Sequence, residues 1–278
     1  MTVEMIQAIA LEEIRTALAV GKLIPYLGPG MLELMPDCPV PNTQEELATL
    51  MTTRVQVPHK IRTKLTAAAQ FIENFKHRKT LINLMHDAFE PGAQPATFHR
   101  FLALHPAIAL IVDTWYDDAM QNALAPRVDW GQVQGMSQSE HFGNWMGWYD
   151  AHGHLSSESA AQDWKTLLYQ PLGSVTPANN FIVSDSDFVE VLTEIEIQTP
   201  IPLQVQRLRQ GCSFLFLGCR FNDQLQRSFA RQIMKRSSER HWAIFPDEPT
   251  RNEQRFLDEQ HIERIDLQLE AFEGLLTA

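Results

Sequence analysis

Cysteine is scarce: the 278 residues hold three, Cys38, Cys212 and Cys219. They are too few and too scattered for a disulfide framework or a cysteine-only zinc site, so the expected compartment is a reducing cytoplasm. No apolar run approaches the roughly 18 residues that a membrane span needs. The opening Met1-Thr-Val-Glu-Met lacks a basic stretch ahead of an apolar one, so no secretion leader is expected. Positive charge is short as well, with 23 Lys and Arg against 34 Asp and Glu and a formal charge of −11. That balance argues against general nucleic-acid binding, which needs a positive surface to displace counterions. Two local exceptions stand out: Arg227, Arg231 and Lys235 at i, i+4 spacing, and the cluster Lys76 to Lys79. Each reads first as a solvated face, and second as a contact for an acidic protein or a phosphate. Internal repeats and low-complexity segments are missing too.

What is present is a core: 44% of the residues are apolar, enough for one large α/β domain over residues 1–278. A helix is expected over 4–19, with Ile6, Ala10, Ile14, Ala17 and Leu18 on one side. Leu23 to Leu27 then reads as a buried strand ending in Gly28-Pro29-Gly30. A glycine turn at that place is either a phosphate loop or a plain strand-ending turn, and the residues alone leave both open. After the proline-punctuated loop Pro36 to Pro41, Asn42 or Thr43 is a cap for a helix from Gln44, with further helices over 59–77 and 79–89. Together these make a helical subdomain over 42–90.

A short helix, Thr97 to Leu104, precedes a second buried strand, Ala107 to Val112, and Asp117 is placed to cap a helix through Leu124. Residues 126–164 hold four of the six tryptophans (Trp130, Trp145, Trp148, Trp164) with no clean period, and read as an irregular insertion. Its tryptophans are either a satellite core or a contact surface for a protein partner, the latter carried by Trp145 and Trp148. Beyond it come strands in Leu167 to Ser174 and Phe181 to Val183, then a helix from Ser184 or Asp185 through Ile195. A helix from Leu203 to Gln210 and a strand from Ser213 to Leu217 follow, the strand closing on Gly218 with Asn222 or Asp223 as the next cap. A strand at Trp242 to Phe245, a helix near 251–260 and a strand at Ile262 to Ile265 end the alternation. Repeated strand–helix alternation calls for a parallel sheet covered by helices on both faces.

Four segments in this order carry a resemblance: the glycine turn after the first strand, Thr114-Trp115-Tyr116-Asp117, Leu168-Tyr169 through Gly173-Ser174, and Phe216-Leu217-Gly218 through Asp223. Their order resembles the SIR2-like family, the sirtuin-related NAD-binding domains often seen in bacterial proteins. The resemblance implies a Rossmann-like sheet with a helical small domain and an NAD or ADP-ribose cleft at the carboxyl edge. It further implies contacts to the nucleotide at Gly28, Gly30, Thr114, Asp117, Gly173 and Gly218. The paired Cys-x-x-Cys zinc knots of the deacylating branch are missing, so no metal is expected.

Set beside the family pattern, three positions depart. Pro29 replaces the residue between the glycines and has no N–H for a pyrophosphate, and Met31 and Leu32 offer no hydroxyl. Trp115 stands where the family carries Asn, and Leu172 stands where it carries a His that acts as general base. Acid–base help is worth about 10²–10⁴-fold in rate, and leucine supplies none. His99, His152 and His154 are the imidazoles that could return a base to the cleft; each reads better as a core or surface histidine. The expectation is a SIR2-like pseudoenzyme that binds a protein partner, as a regulatory, protective or accessory factor. The resemblance extends to a nitrogenase-type metalloenzyme as one such partner, which no motif here supports. The opposing expectations are an active NAD-hydrolysing enzyme of the phage-defence kind, or a nucleotide sensor.

Overall fold

The computed structural model describes residues 3–194 and 201–277. Along the chain, α1 (Val3–Ala19) turns at Gly21 into β1 (Leu23–Leu27), which runs into a 3₁₀ turn, Pro29–Leu34. Three helices follow: α2 (Gln44–Arg54), α3 (Leu65–Lys76) and α4 (Arg78–Phe89). Then come α5 (Thr97–Leu104), β2 (Leu110–Asp113), α6 (Ala119–Leu124), β3 (Trp130–Gly135), β4 (Met146–Asp150) and β5 (Thr166–Gln170). A small ribbon of β6 (Gly173–Ser174) and β7 (Asn180–Phe181) leads to α7 (Asp185–Glu194) and α8 (Leu203–Leu208). The tail is β8 (Ser213–Leu217), α9 (Gln224–Met234), β9 (His241–Ile244), α10 (Arg251–Glu259), β10 (Ile262–Ile265) and α11 (Leu269–Thr277).

Eight strands form one sheet in the order β10-β9-β8-β1-β2-β5-β3-β4. All neighbours are parallel except β4, which runs antiparallel to β3 at the edge. Alternation along β1 divides the core. Ile24 and Tyr26 face a layer of α2, α3, α4, α7 and α9, while Leu23 and Leu27 face α1, α5, α6 and α11. This is the expected Rossmann-like α/β sheet with helices on both faces. Its crossover helices place the ends of β1, β2, β5 and β8 together on one edge.

Several local boundaries differ from expectation, each for a physical reason. The 59–77 helix splits into a 3₁₀ turn at His59–Ile61 and α3, whose first residue is Leu65. The strand read at Phe181 to Val183 stops at Phe181, because the N–H groups of Val183 and Ser184 both bond the Asp187 carboxylate. The helix from Leu203 ends at Leu208 rather than Gln210. The side chain of Ile6 and the expected helix end at Ile195 lie outside the described residues. The caps are Thr43, Asp223 and Thr250, the last in a reciprocal pair with Glu253.

Residues 126–164 are not an irregular insertion throughout. They supply β3, an interior strand, and β4, an edge strand of the main sheet. The pattern hid β3 because all six of its residues are buried, so its polar members Gln132 and Gln134 break no exposed face. The Trp164 ring lies directly over Gly131, where an added Cβ would come within 2.4 Å of the ring. Trp145, Trp148 and Trp164 are half-buried and pack against the main core rather than forming a separate one.

Arg78 likewise departs from the solvated face read for its cluster. Its side chain is 12% exposed and pairs with Asp187 at 2.7 Å, Glu140 at 3.4 Å and Glu73 at 3.6 Å. The other cluster holds closer to expectation: Arg231 is a half-exposed partner of Glu259 at 3.3 Å.

Candidate functional site

The carboxyl edge is built around the glycine turn. Gly28 N–H donates to Leu217 O at 2.9 Å, Gly30 N–H to Gly218 O at 2.9 Å and Met31 N–H to Gly28 O at 3.1 Å. Pro29 has no N–H. Every backbone donor a phosphate would use in this turn therefore already has a carbonyl partner. The glycines are required by the close approach of the β1 and β8 loops. A Cβ on Gly28 would meet Gly218 O at 2.5 Å, and one on Gly218, whose φ is +63°, would meet Met31 N at 2.3 Å. Gly28, Gly30 and Gly218 are thus brought together as expected, in a packed junction between two loops.

The turn after β2 places the next group. Thr114 bonds Leu27 O through both its N–H (2.9 Å) and its hydroxyl (2.8 Å). Trp115 is 2% exposed, and its indole N–H donates to Pro41 O at 2.8 Å. Its ring packs against Tyr116 and, edge-on, against Phe89. Asp117 accepts from the N–H of Ala119, the first residue of α6, at 2.8 Å; the N-cap position is Asp118, not Asp117 as expected. Leu172 comes up beside Trp115, and Gly173, at φ +79°, packs so closely that a Cβ would meet Asn180 O at 2.1 Å.

The other helix start near this edge is occupied in the same way. Asp223 accepts from Leu225 N–H at 2.7 Å and Gln226 N–H at 3.2 Å, so the first turn of α9 is covered by its own carboxylate. A helix N-terminus attracts anions through its free N–H groups and dipole. Here an aspartate already fills that role.

Between these walls the enclosed part of the cleft holds about 40 Å³, closed by Tyr26, Trp115, Leu172, Phe188, Phe221 and Phe229. Ligand pockets run to roughly 300–1,000 Å³. An open groove of about 560 Å³ continues outward past Gly30, Gln44, Gln226 and Phe245. Its rim carries the exposed carboxylates of Glu33, Glu45 and Asp247. Its one arginine, Arg220, is held by Glu253 at 3.0 Å and Asp247 at 2.7 Å.

Burial holds the thiol and the phenol that line the cleft in their neutral forms. Burial pushes Cys219 up, with Asp113 adding to it, so its thiol stays protonated. Tyr26 is likewise raised well above the usual phenol range by burial. Burial, reinforced by the neighbouring Asp117, raises Asp113, and burial lifts Asp117 to about 6. Neither aspartate lines the cleft; their oxygens face backbone N–H groups of Trp115 and Ala119. Asp113, Cys219 and the phenylalanine plug went unread in the sequence. Asp113 alone carried a signal, as the polar end of an apolar strand.

The histidines do not reach this edge. His99 is buried on α5, lines neither part of the cleft, and is lowered to about 4 by burial, so it is neutral. His152 and His154 are exposed and follow β4, whose Asp150 pairs with Gly131 near the start of β3. Because β4 is antiparallel, that turn lies at the opposite edge of the sheet. It is also four strands from β1, roughly 19 Å at about 4.8 Å per strand. Among the described residues, no group of three or more His, Cys, Asp or Glu side chains is arranged to hold a metal, and no helix is long and apolar enough to cross a membrane.

A family model described as the SIR2-like domain matches residues 109–265. Among solved structures, one from work on the structural basis for the mechanism and regulation of Sir2 enzymes aligns with 96% of this chain and 98% of its own. The identity in that alignment is 11% and the TM-score 0.38. No curated protein matches the chain.

Proposed function

The chain belongs to the SIR2-like domain family, and from that premise we propose that it is a pseudoenzyme that works by binding a protein partner. The observation that carries this reading is the constricted inner cleft: about 40 Å³ lies behind Trp115, Leu172 and the phenylalanines, and the outer groove of about 560 Å³ has an acidic rim. The lining does not fit a dinucleotide. The turn N–H groups are spent on Leu217, Gly218 and Gly28 carbonyls, α9 is capped by Asp223, and the rim is acidic. With Leu172 in the place of the family's His, the cleft has no imidazole to accept a proton.

A proton NMR time course of NAD with the purified protein tests this. Sharp, unchanged NAD signals are expected, with no free nicotinamide after hours. Release of nicotinamide would establish the opposing reading, an NAD-hydrolysing enzyme; broadened signals without product would make the protein a nucleotide or ADP-ribose sensor.

The partner surface we assign is the loop between β3 and β4 with the strand it enters. Phe142 at its tip is 95% exposed, and Trp145 and Trp148 form its half-buried base. Tryptophan and phenylalanine at the centre of an interface supply large buried area with little entropy cost. The double variant Phe142→Ser/Trp148→Ala is expected to abolish partner recovery in a pull-down from native extract while circular dichroism stays unchanged. Undiminished recovery by a folded variant would remove this surface from consideration.

A further inference from the structure

A third basic stretch lies on the helical layer. No Asp or Glu occurs between Glu46 and Glu73, and the Lys and Arg of that interval are Arg54, Lys60, Arg62 and Lys64. All four are exposed. Arg54 pairs with Asp87, while Lys60, Arg62 and Lys64 have no carboxylate within ion-pair reach among the described residues. A chain with a formal charge of −11 has carboxylates to spare. Three neighbouring cations left without one therefore mark a local reversal of the surface potential.

These cations border a groove of about 590 Å³ between the second half of α2 and the turn before α3. Its lining holds Arg54, Gln56, Arg62 and four threonines, and neither a carboxylate nor an aromatic ring. Thr52 Oγ1 donates to Arg62 O at 3.1 Å, which holds the arginine's backbone against α2. Thr63 lines this groove and also the acidic outer groove with Glu33 and Glu45, so the positive strip ends there.

We infer that this groove docks an acidic segment of the protein partner, whose Asp and Glu carboxylates pair with Lys60, Arg62 and Lys64. The inference rests on the partner-binding reading above and gives that partner its chemistry. Charge complementarity favours a peptide over nucleic acid. A nucleic-acid strand needs an extended positive track and rings on which its bases stack. Here the strip is one groove long, meets carboxylates beyond Thr63 and offers no ring. A short acidic segment needs only a few cations. The place also suits the surface assigned to the Phe142 loop. α3 begins beside the groove and ends next to Arg78, which holds Glu140 of that loop. Its 12 residues span about 18 Å, so an interface of about 800 Å² a side reaches both.

Fluorescence anisotropy of a short labelled peptide of alternating Asp and Glu, set against its Asn/Gln counterpart, tests the assignment. The wild-type protein should bind the acidic peptide alone, and more weakly as salt rises. Arg62→Glu/Lys64→Glu should weaken binding about tenfold or more, since each exposed ion pair is worth up to about fivefold and reversal adds repulsion. Lys22→Glu/Arg100→Glu makes the same change in net charge on exposed residues elsewhere, and should leave binding within about twofold because salt screens distant charges. No binding of the acidic peptide at low salt, or equal weakening by both double variants, overturns the assignment. So does tighter binding of a charge-matched single-stranded oligonucleotide, or displacement of the peptide by inorganic phosphate beyond that by chloride at equal ionic strength. If the groove variant does not fold, peptide-induced shifts of the wild-type Arg62 and Thr63 amides decide alone. Nicotinamide release in the NAD experiment would instead overturn the pseudoenzyme reading and leave this result standing.

Discussion

Trp115→Ala should destabilise the protein by about 3–5 kcal/mol, the range for removing a large aromatic from a packed core. The ring is fully enclosed and touches Phe89 and Tyr116, while its indole N–H satisfies the buried Pro41 carbonyl. One side chain therefore fastens the Pro36–Pro41 loop, the helical layer and the turn after β2 to one another. Trp115→Phe separates the contributions: it keeps most of the packing but leaves Pro41 O without its donor, for a loss of about 1–3 kcal/mol. Urea unfolding of the three proteins measures both steps. A loss under about 1 kcal/mol for Trp115→Ala would show that the indole is a loose filler and not a packed wall of the cleft.

Arg78→Met should cost a similar amount, about 3–5 kcal/mol at neutral pH, because it leaves Asp187 buried without its counter-charge. Asp187 is fully enclosed, and Arg78 also donates to Phe181 O, tying α4 to β7 and α7. Burial alone would raise the Asp187 carboxyl, but Arg78, the Ser137 hydroxyl and the N–H groups of Val183 and Ser184 together hold it below the usual carboxylate range. The sign of the pH dependence follows. A depressed folded pKa adds stability that is present above the unfolded value of about 4 and lost as pH falls through the folded value. In Arg78→Met the carboxyl titrates higher, because burial is no longer opposed. The stability gap between wild type and variant should be widest near pH 7, begin to close as pH falls through the variant's raised carboxyl, and close fully below the wild type's depressed one. Urea midpoints across that range read it directly, and a gap that stays constant with pH would mean that lost packing, not charge, is responsible.

Much of this architecture was legible in the residues. Apolar runs of four to six, such as Leu23–Leu27 and Ser213–Leu217, fix buried strands because an exposed alternative would leave every side chain in water. Caps at Thr43 and Asp223 were readable for an equally local reason: a short polar side chain reaches the N–H two or three residues on. The replacement of two expected catalytic residues by Trp115 and Leu172 was likewise open to inspection once the segment order suggested the family.

Other features depended on what the chain meets after folding. β3 was hidden because its glutamines are buried and bond residues of other elements, in a network spanning residues 121 to 176 that no local pattern displays. Arg78 looked like one of four basic residues on a surface, and becomes a buried brace only because Glu140 and Asp187 arrive from other elements. The glycine turn shows the division most clearly. Its two glycines determined by themselves that the backbone must pass close to something. Which groups lie there was decided by tertiary structure alone, when β8 settled beside β1 and its Leu217 and Gly218 carbonyls accepted from the Gly28 and Gly30 N–H groups. Sequence sets which backbone conformations are allowed, and long-range packing sets which hydrogen-bond partners remain.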